Sequence, residues 1–396
     1  MILKGKEILL GVTGGIAAYK AVLLLRKLTK AGANVNVIMT ENAKQFVGPL
    51  TFQTLSGNPV TSDLFTLFKS KEIGHVALAD RADLLVIAPA TANIIGKIAN
   101  GIGDDFLSTM VMATRVPVLF APSMNVNMFN SPIVQENIKK LKQHGYYFID
   151  PEEGELACKA EGKGKLADID NILEEICILL SPKDFKGKKI LVTAGPTIED
   201  IDPVRYISNN SSGKMGYAIA KTAIRRGAEV LLISGPTSLK PPYKARFISV
   251  RSAQQMYEAI MDNFSQFDII IKCAAVADYR PEKKALEKIK KTEKEITLKL
   301  VKNPDILKEI GKQKGNRIIV GFAAETENVV ENARKKLIEK NIDLMVVNDV
   351  SNKEIAFQSD YNQCTLIFRN GNFIELPKAK KEEVADDILD AIKSIM

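Results

Sequence analysis

One phrase opens both halves of the chain. KEILLGVTGG at 6–15 returns as KKILVTAGPT at 188–197, and each leads to a second apolar run, AGANVNVI at 31–38 and RGAEVLLI at 226–233. An apolar run that stops at a Gly turn, passes through a helix and starts again is the pattern of a parallel strand–helix–strand unit. In the first half the spacing predicts a strand over 7–12, a turn at Thr13-Gly14-Gly15, a helix over 16–30 closed by Gly32, and a strand over 33–39. Duplication and independent α/β habit explain the rhyme equally well. At 396 residues the chain exceeds one ordinary core. An apolar helical run at 172–180 is followed by SPKDFKGKK at 181–189, which reads as a linker. The expected fold class is therefore α/β, with two doubly wound parallel-sheet domains of Rossmann or flavodoxin type, 1–183 and 184–396.

Several classes are excluded early. No window approaches ~18 consecutive apolar residues, so no membrane span is expected, and the N-terminus runs into a strand without a cleavage region. Cys158, Cys177, Cys273 and Cys364 are scattered, which indicates neither a disulfide framework nor a paired-thiol metal site. A cytoplasmic setting is expected. The net charge of +8 is spread along a chain without Trp, unlike a nucleic-acid-binding surface. Its denser Lys/Arg clusters, at 282–291 and 334–340, read either as solvated faces or as sites for anionic small molecules.

The first Gly turn is not a dinucleotide fingerprint, because Thr13 stands where GxGxxG needs its second Gly and the next strand ends at Thr40 rather than at an acid. A hydroxyl and free amides at a helix start suit a phosphate monoester. Further strands are expected over 84–88 and 118–121. Their tails, Ala90-Thr91-Ala92-Asn93 and Ser123-Met124-Asn125, face the same crevice at the carboxyl edge of the sheet. Of two histidines, His144 reads as a surface or cap residue, whereas His75 follows a Gly at an expected helix start and is a candidate site residue. The Gly/Lys-rich stretch 154–168 carries Cys158 and is either a surface hairpin or a lid whose largely protonated thiol, of ordinary pKa ~8.5, can give up a proton.

These residues carry a resemblance. The GGIAAYK turn, the His75 helix, PSMNVNMF at 122–129 and the Cys158 loop resemble the flavin-dependent cysteine decarboxylases, with Phe129 where that family has Trp and Lys165-Leu166 where it usually has Arg-Met. The resemblance implies FMN in the crevice, its phosphate near Gly14 and Gly15, with contacts from Thr40, Thr91, Asn93 and Ser108. FMN would oxidise the cysteine thiol of phosphopantothenoylcysteine to a thioaldehyde, which loses its carboxylate. His75 would orient the substrate, Asn125 bind the carboxylate, and Cys158 supply the proton as hydride returns to the enethiol.

The second half has its own polar loop, DPVRYISNNSSGKMG at 202–216. It fails as a Walker A motif, with Ser208 in place of the first Gly and Met215 after Lys214. Ser252 with Gln255 reads as a capping box. Buried strands are expected over 268–273 and 317–323, an alternating strand at Ile296, Leu298 and Leu300, and Asn303-Pro304-Asp305 as an N-cap followed by Pro in the first helical turn. Arg334, Lys336 and Lys340 fall near one helix face. Lysines gathered at a sheet's carboxyl edge suit a polyphosphate.

DPVRYISNNSSGKMG, AAVADY, EKIKK, VKNPDIL and GFAAET resemble the phosphopantothenate–cysteine ligases, often fused to the decarboxylase. That resemblance implies CTP-dependent activation of 4'-phosphopantothenate as an acyl-cytidylate, then attack by the amine of L-cysteine. Lys288 would serve activation and Asn209 hold the intermediate. Asp278, Lys288, Pro304, Asp305, Ile306, Leu307, Phe322, Lys336 and Lys340 would bind CTP. Mg²⁺ would be held by phosphates and water, since no metal-ligand cluster is legible. Homo-oligomers are implied, with trimeric decarboxylase and dimeric ligase contacts. A bifunctional enzyme of coenzyme A biosynthesis is the leading reading. A non-enzymatic FMN-binding regulatory flavoprotein and a single-activity decarboxylase are the alternatives.

Overall fold

A computed structural model describes residues 2–63, 74–155, 161–290, 295, 297–325, 329–349 and 359–396. The chain divides into two compact units, Met1–Ser181 and Pro182–Met396.

The first unit is built on five parallel strands. From one edge they are Asn34–Met39, Glu7–Val12, Leu84–Ala90, Val118–Pro122 and Tyr147–Phe148. The strand Leu84–Ala90 is buried along its whole length, as expected where helices cover both faces of a parallel sheet. The helix Ala18–Lys30 packs Ala21, Leu24, Leu25 and Leu28 against the sheet. It begins later than the sequence predicts because residues 14–17 are used in the turn. Numbered within the unit, the strand order is 2-1-3-4-5. The order reverses between the first and third strands, and that reversal opens a crevice at their carboxyl ends.

The second unit carries an eight-stranded sheet. Its parallel part runs Arg246–Ser249, Glu229–Ser234, Lys189–Ala194, Ile269–Lys272, Ile318–Glu325 and Leu344–Asp349. Within the unit this is the order 3-2-1-4-5-6, which reverses between Lys189–Ala194 and Ile269–Lys272. The sheet is mixed rather than purely parallel, because the hairpin Tyr361–Phe368 and Phe373–Lys380 extends it in antiparallel fashion. The helix Lys381–Ser394 then packs Val384, Ile388, Leu389 and Ile392.

Some local expectations need correction. The 181–189 stretch holds the division between the units as expected, but it is packed: Phe185 is fully buried, and Arg226 stacks over its ring at 5.0 Å while pairing with Asp184 at 2.6 Å. Asn303 is not the cap of its helix. Its side-chain amide donates to the Ala277 carbonyl instead, and Asp305 accepts the Lys308 N–H ahead of Ile306–Lys312. Of the alternating strand expected around Leu298, only Leu300–Lys302 pairs, with Tyr279–Pro281; Ile296 lies outside the described residues.

Candidate functional site

Each reversal of strand order holds a cleft. The first, of about 660 Å³, is lined by Gly14, Gly15, Thr40, Thr91, Asn93, Asn125 and Gly164 among others. Thr13 ties its two sides together: the hydroxyl donates to the Pro89 carbonyl at 2.7 Å and accepts the Thr91 N–H at 3.2 Å. Thr91 then caps the helix Ala92–Ala99 without using its own side chain, leaving that helix start and its amides at the cleft. Gly14 passes so close to Asn42 that a Cβ there would stand 2.4 Å from the Asn42 Cβ. Beside it the Thr40 hydroxyl is buried without a hydrogen-bond partner. An orphaned hydroxyl and a glycine cradle at a helix start fit the terminal phosphate of a flavin mononucleotide.

Asn125 lies opposite, its side-chain oxygen accepting the Asn127 N–H at 2.8 Å at the start of Val126–Phe129. The Met124 N–H donates to the Gly164 carbonyl at 3.0 Å, so the strand Glu161–Lys165 lies against this loop. Ser108 does not line the cleft. It is buried, with its N–H and hydroxyl both donating to Asp105. Asp105 faces the cleft with Lys97, which also pairs with Asp104 at 2.7 Å. Burial opposes the Asp105 charge, but the hydrogen bonds from Ser108 and Lys97 outweigh it and hold the carboxyl below its ordinary range. His75 belongs to the helix Gly74–Arg81, but its side chain, and Cys158 altogether, lie outside the described residues.

The second cleft, of about 890 Å³, is lined by Asn209, Asp278, Pro304, Asp305, Ile306, Leu307, Phe322, Lys336 and Lys340, all expected from sequence. Gly195, with φ +71°, turns the chain out of Lys189–Ala194, and the Ala275 N–H donates to its carbonyl at 2.9 Å. The Asn209 amide donates to the carbonyls of Ala275 and Val276 at 3.2 and 3.1 Å, which stitches the 209–213 loop across the reversal. The helix Lys214–Arg225 starts at the same place. Lys340 pairs with Asp305 at 3.0 Å. Burial resists the Asp305 charge, but Lys340 and the Lys308 N–H together keep that carboxyl below its usual range.

Two residues stand elsewhere: Lys288, expected at the site, and Arg334, expected only on the helix face of Lys336 and Lys340. Arg334 donates to the Gly371 carbonyl at 2.6 Å, away from the cleft. Lys288 is exposed and does not line the cleft. Its loop is held to the buried Asp202, whose carboxylate accepts the Ile289 N–H at 3.2 Å, and Arg205 donates to the Ile289 carbonyl. Lys272 and Lys381 are among the lining lysines that the sequence does not single out. Together with Lys214, Lys302, Lys308, Lys336 and Lys340 they give the lining seven lysines against two aspartates. For Lys272 a signal existed, a charge ending the buried strand IIIK. For Lys381, brought in by the last helix, there was none. Among the described residues no cluster of three or more His, Cys, Asp or Glu is placed to hold a metal, and no helix is long and apolar enough to cross a membrane.

Two sequence families account for the chain between them. Residues 2–181 match the family described as Flavoprotein, and residues 185–396 match the DNA/pantothenate metabolism flavoprotein C-terminal domain. Over 403 residues the chain is 49% identical to the Coenzyme A biosynthesis bifunctional protein CoaBC of Bacillus subtilis, covering 100% of this chain and 98% of that one. The CoaBC protein of Escherichia coli K12 is 46% identical over 397 residues, covering 99% and 98%. A solved C-terminal domain of a CoaBC protein shares 46% identity over 54% of this chain and 97% of its own, with a TM-score of 0.47.

Proposed function

The chain belongs to the family of bifunctional coenzyme A biosynthesis proteins, with a flavoprotein decarboxylase domain followed by a ligase domain, and from that premise we propose which residues carry each activity. The observation that supports the assignment is the pair of clefts at the two reversals of strand order, one built around an orphaned hydroxyl and a glycine cradle, the other around lysines.

In the first cleft Gly14, Gly15, Thr40, Thr91 and Asn93 hold FMN, which when bound supplies the two-electron oxidation of the substrate thiol and its reversal. Thr40 and the amides at the turn take the phosphate. Ser108 acts one step back, by fixing Asp105. Asn125 binds the leaving carboxylate of phosphopantothenoylcysteine, His75 orients that substrate, and Cys158 gives the final proton; the last two roles rest on the resemblance alone.

In the second cleft CTP binds through Asp278, Pro304, Asp305, Ile306, Leu307, Phe322, Lys336 and Lys340. The carboxylate of 4'-phosphopantothenate attacks the α-phosphorus and pyrophosphate leaves. The amine of L-cysteine then attacks the acyl carbon and CMP leaves. Negative charge grows on the phosphoryl oxygens in the first step, where fixed lysines and Mg²⁺ carried by the triphosphate are most effective. Asn209 holds the acyl-cytidylate. Lys288 is assigned to activation from the resemblance, since it stands outside the cleft. A cytoplasmic homo-oligomer completes the reading. The oligomeric part is supported by exposed Tyr19 and Leu23 on the first helix and by exposed Val204 and Tyr206 in the second unit.

The purified protein should be yellow, and should release pyrophosphate only with CTP and 4'-phosphopantothenate together. Protein that binds no flavin, or that releases no pyrophosphate under those conditions, would sink the corresponding half of the assignment.

A further inference from the structure

Lys272 ends the central strand Ile269–Lys272, in register with Thr193 and Gly321. Ile270, two residues earlier and so on the same face, belongs to the core formed with Ile306, Leu307 and Ile310. That face leads out of the core into the second cleft, which Lys272 lines. Its ammonium has no hydrogen-bond or ion-pair partner among the described residues. The charged and titratable groups around it are Lys340, Asp305, Asp278 and Cys273. Asp305 is already paired with Lys340, Asp278 is exposed, and burial pushes the Cys273 thiol up to about 12, so it carries no charge at neutral pH.

A half-buried ammonium that gives up part of its water without a protein partner carries a cost, and an anionic ligand in the cleft would supply what the protein does not. We propose that Lys272 is a further nucleotide-binding residue, its ammonium donating to a phosphoryl oxygen of the nucleoside triphosphate. This rests on the reading of the second cleft as the place where a carboxylate is activated. Burial first, and then Lys340, lower the Lys272 pKa from the ordinary lysine value. The free protein therefore loses this charge at a lower pH than an exposed lysine does, and nucleotide binding should weaken on that limb.

The test uses the full-length flavin-loaded protein, with pyrophosphate release measured against CTP concentration and pH. In Lys272→Met the KM for CTP should rise about tenfold or more, the worth of one hydrogen bond to a charged group. The KM values for 4'-phosphopantothenate and L-cysteine should stay within about twofold, since their binding does not use this group. Flavin content should not change. The alkaline rise in CTP KM should disappear in Lys272→Met, at a raised KM, and also in Lys272→Arg, whose guanidinium stays charged across the range, at a KM closer to that of wild type. A purely structural lysine would alter stability without moving this pH limb.

An unchanged CTP KM and pH profile in Lys272→Met overturns the proposal. If that variant does not fold, Lys272→Gln is read in the same way. If neither folds, a wild-type CTP KM that stays flat up to the pH where exposed lysines titrate overturns it. Wild-type protein that releases no pyrophosphate with any nucleoside triphosphate removes the reading of the cleft itself, an outcome distinct from a normal wild type with unaffected variants.

Discussion

Among single residues, those whose roles were legible in the sequence are the ones whose chemistry is local. The spacing of Ser252 and Gln255 predicts a capping box, and both reciprocal hydrogen bonds form. Gly14 and Thr40, whose roles rest on a resemblance, show in the structure a contact that admits no Cβ and a hydroxyl with nothing to bond. Ser108 shows the opposite case: the resemblance points it at the flavin, whereas Asp105, the N-cap three residues before it, takes its hydroxyl. Thr40 yields a prediction with two signs. Thr40→Val removes a buried hydroxyl that the flavin-free protein leaves unsatisfied, so flavin-free stability should hold or rise by about 1 kcal/mol. Flavin affinity should fall about tenfold, for loss of a hydrogen bond to a charged phosphate. Thermal unfolding of stripped protein and a fluorescence titration with FMN measure the two. Loss of stability together with undiminished affinity would show that the hydroxyl has a partner within the protein and none in the flavin.

Elements were legible where one periodicity ran through a buried stretch. The strand over 7–12 and the buried strands at 84, 118, 269 and 318 fall where apolar runs stop at Gly, Pro or Ala-rich tails. Boundaries slipped where tertiary contacts decide them, as when Asn303 bonds to Ala277 and leaves the cap to Asp305. The edge hairpin Tyr361–Phe368 and Phe373–Lys380 is not among the expected elements: its second strand is mostly exposed and offers little alternation, although the first buries Asn362, Cys364 and Leu366 in alternation. The helix Ala253–Asn263 makes a test confined to one element. Ser252 accepts the Gln255 N–H at 3.2 Å, and the Gln255 side chain accepts the Ser252 N–H at 3.3 Å. Ser252→Ala should cost about 1 kcal/mol of unfolding free energy, read by denaturant titration, while flavin content and pyrophosphate release stay at wild-type levels. A changed activity would mean that this helix start serves a cleft.

The doubled opening phrase forecast two α/β units, and it did so because strand, Gly turn and helix are each short-range features. What it could not forecast is how the start and end of the second unit lock together, which is a matter of contacts over about 200 residues of sequence. If the two activities belong to separate units, Lys288→Ala should abolish pyrophosphate release and leave both flavin content and decarboxylation of supplied phosphopantothenoylcysteine intact. Loss of flavin in that variant would contradict the separation. The lock itself centres on Arg226, nearly fully buried and paired with Asp184 at 2.6 Å and Asp390 at 2.7 Å, with Lys393 on the same Asp184 carboxylate at 3.0 Å. Arg226 and then Lys393 hold the Asp184 carboxyl well below the usual carboxylate range against the opposing effect of burial. A carboxyl whose folded pKa is depressed stabilises the fold fully above its unfolded value of ~3.9 and loses that contribution as pH falls through the folded value. Asp184→Asn leaves a buried guanidinium short of its best partner, so it should lower stability at neutral pH by about 2–4 kcal/mol. The gap from wild type should stay constant from neutral pH down to about pH 5 and close at lower pH, as the wild-type carboxyl takes up its own proton and comes to resemble the amide. Unfolding curves at several pH values check this. A gap that persists unchanged at the acid end would assign the loss to altered packing around Phe185 rather than to the charge.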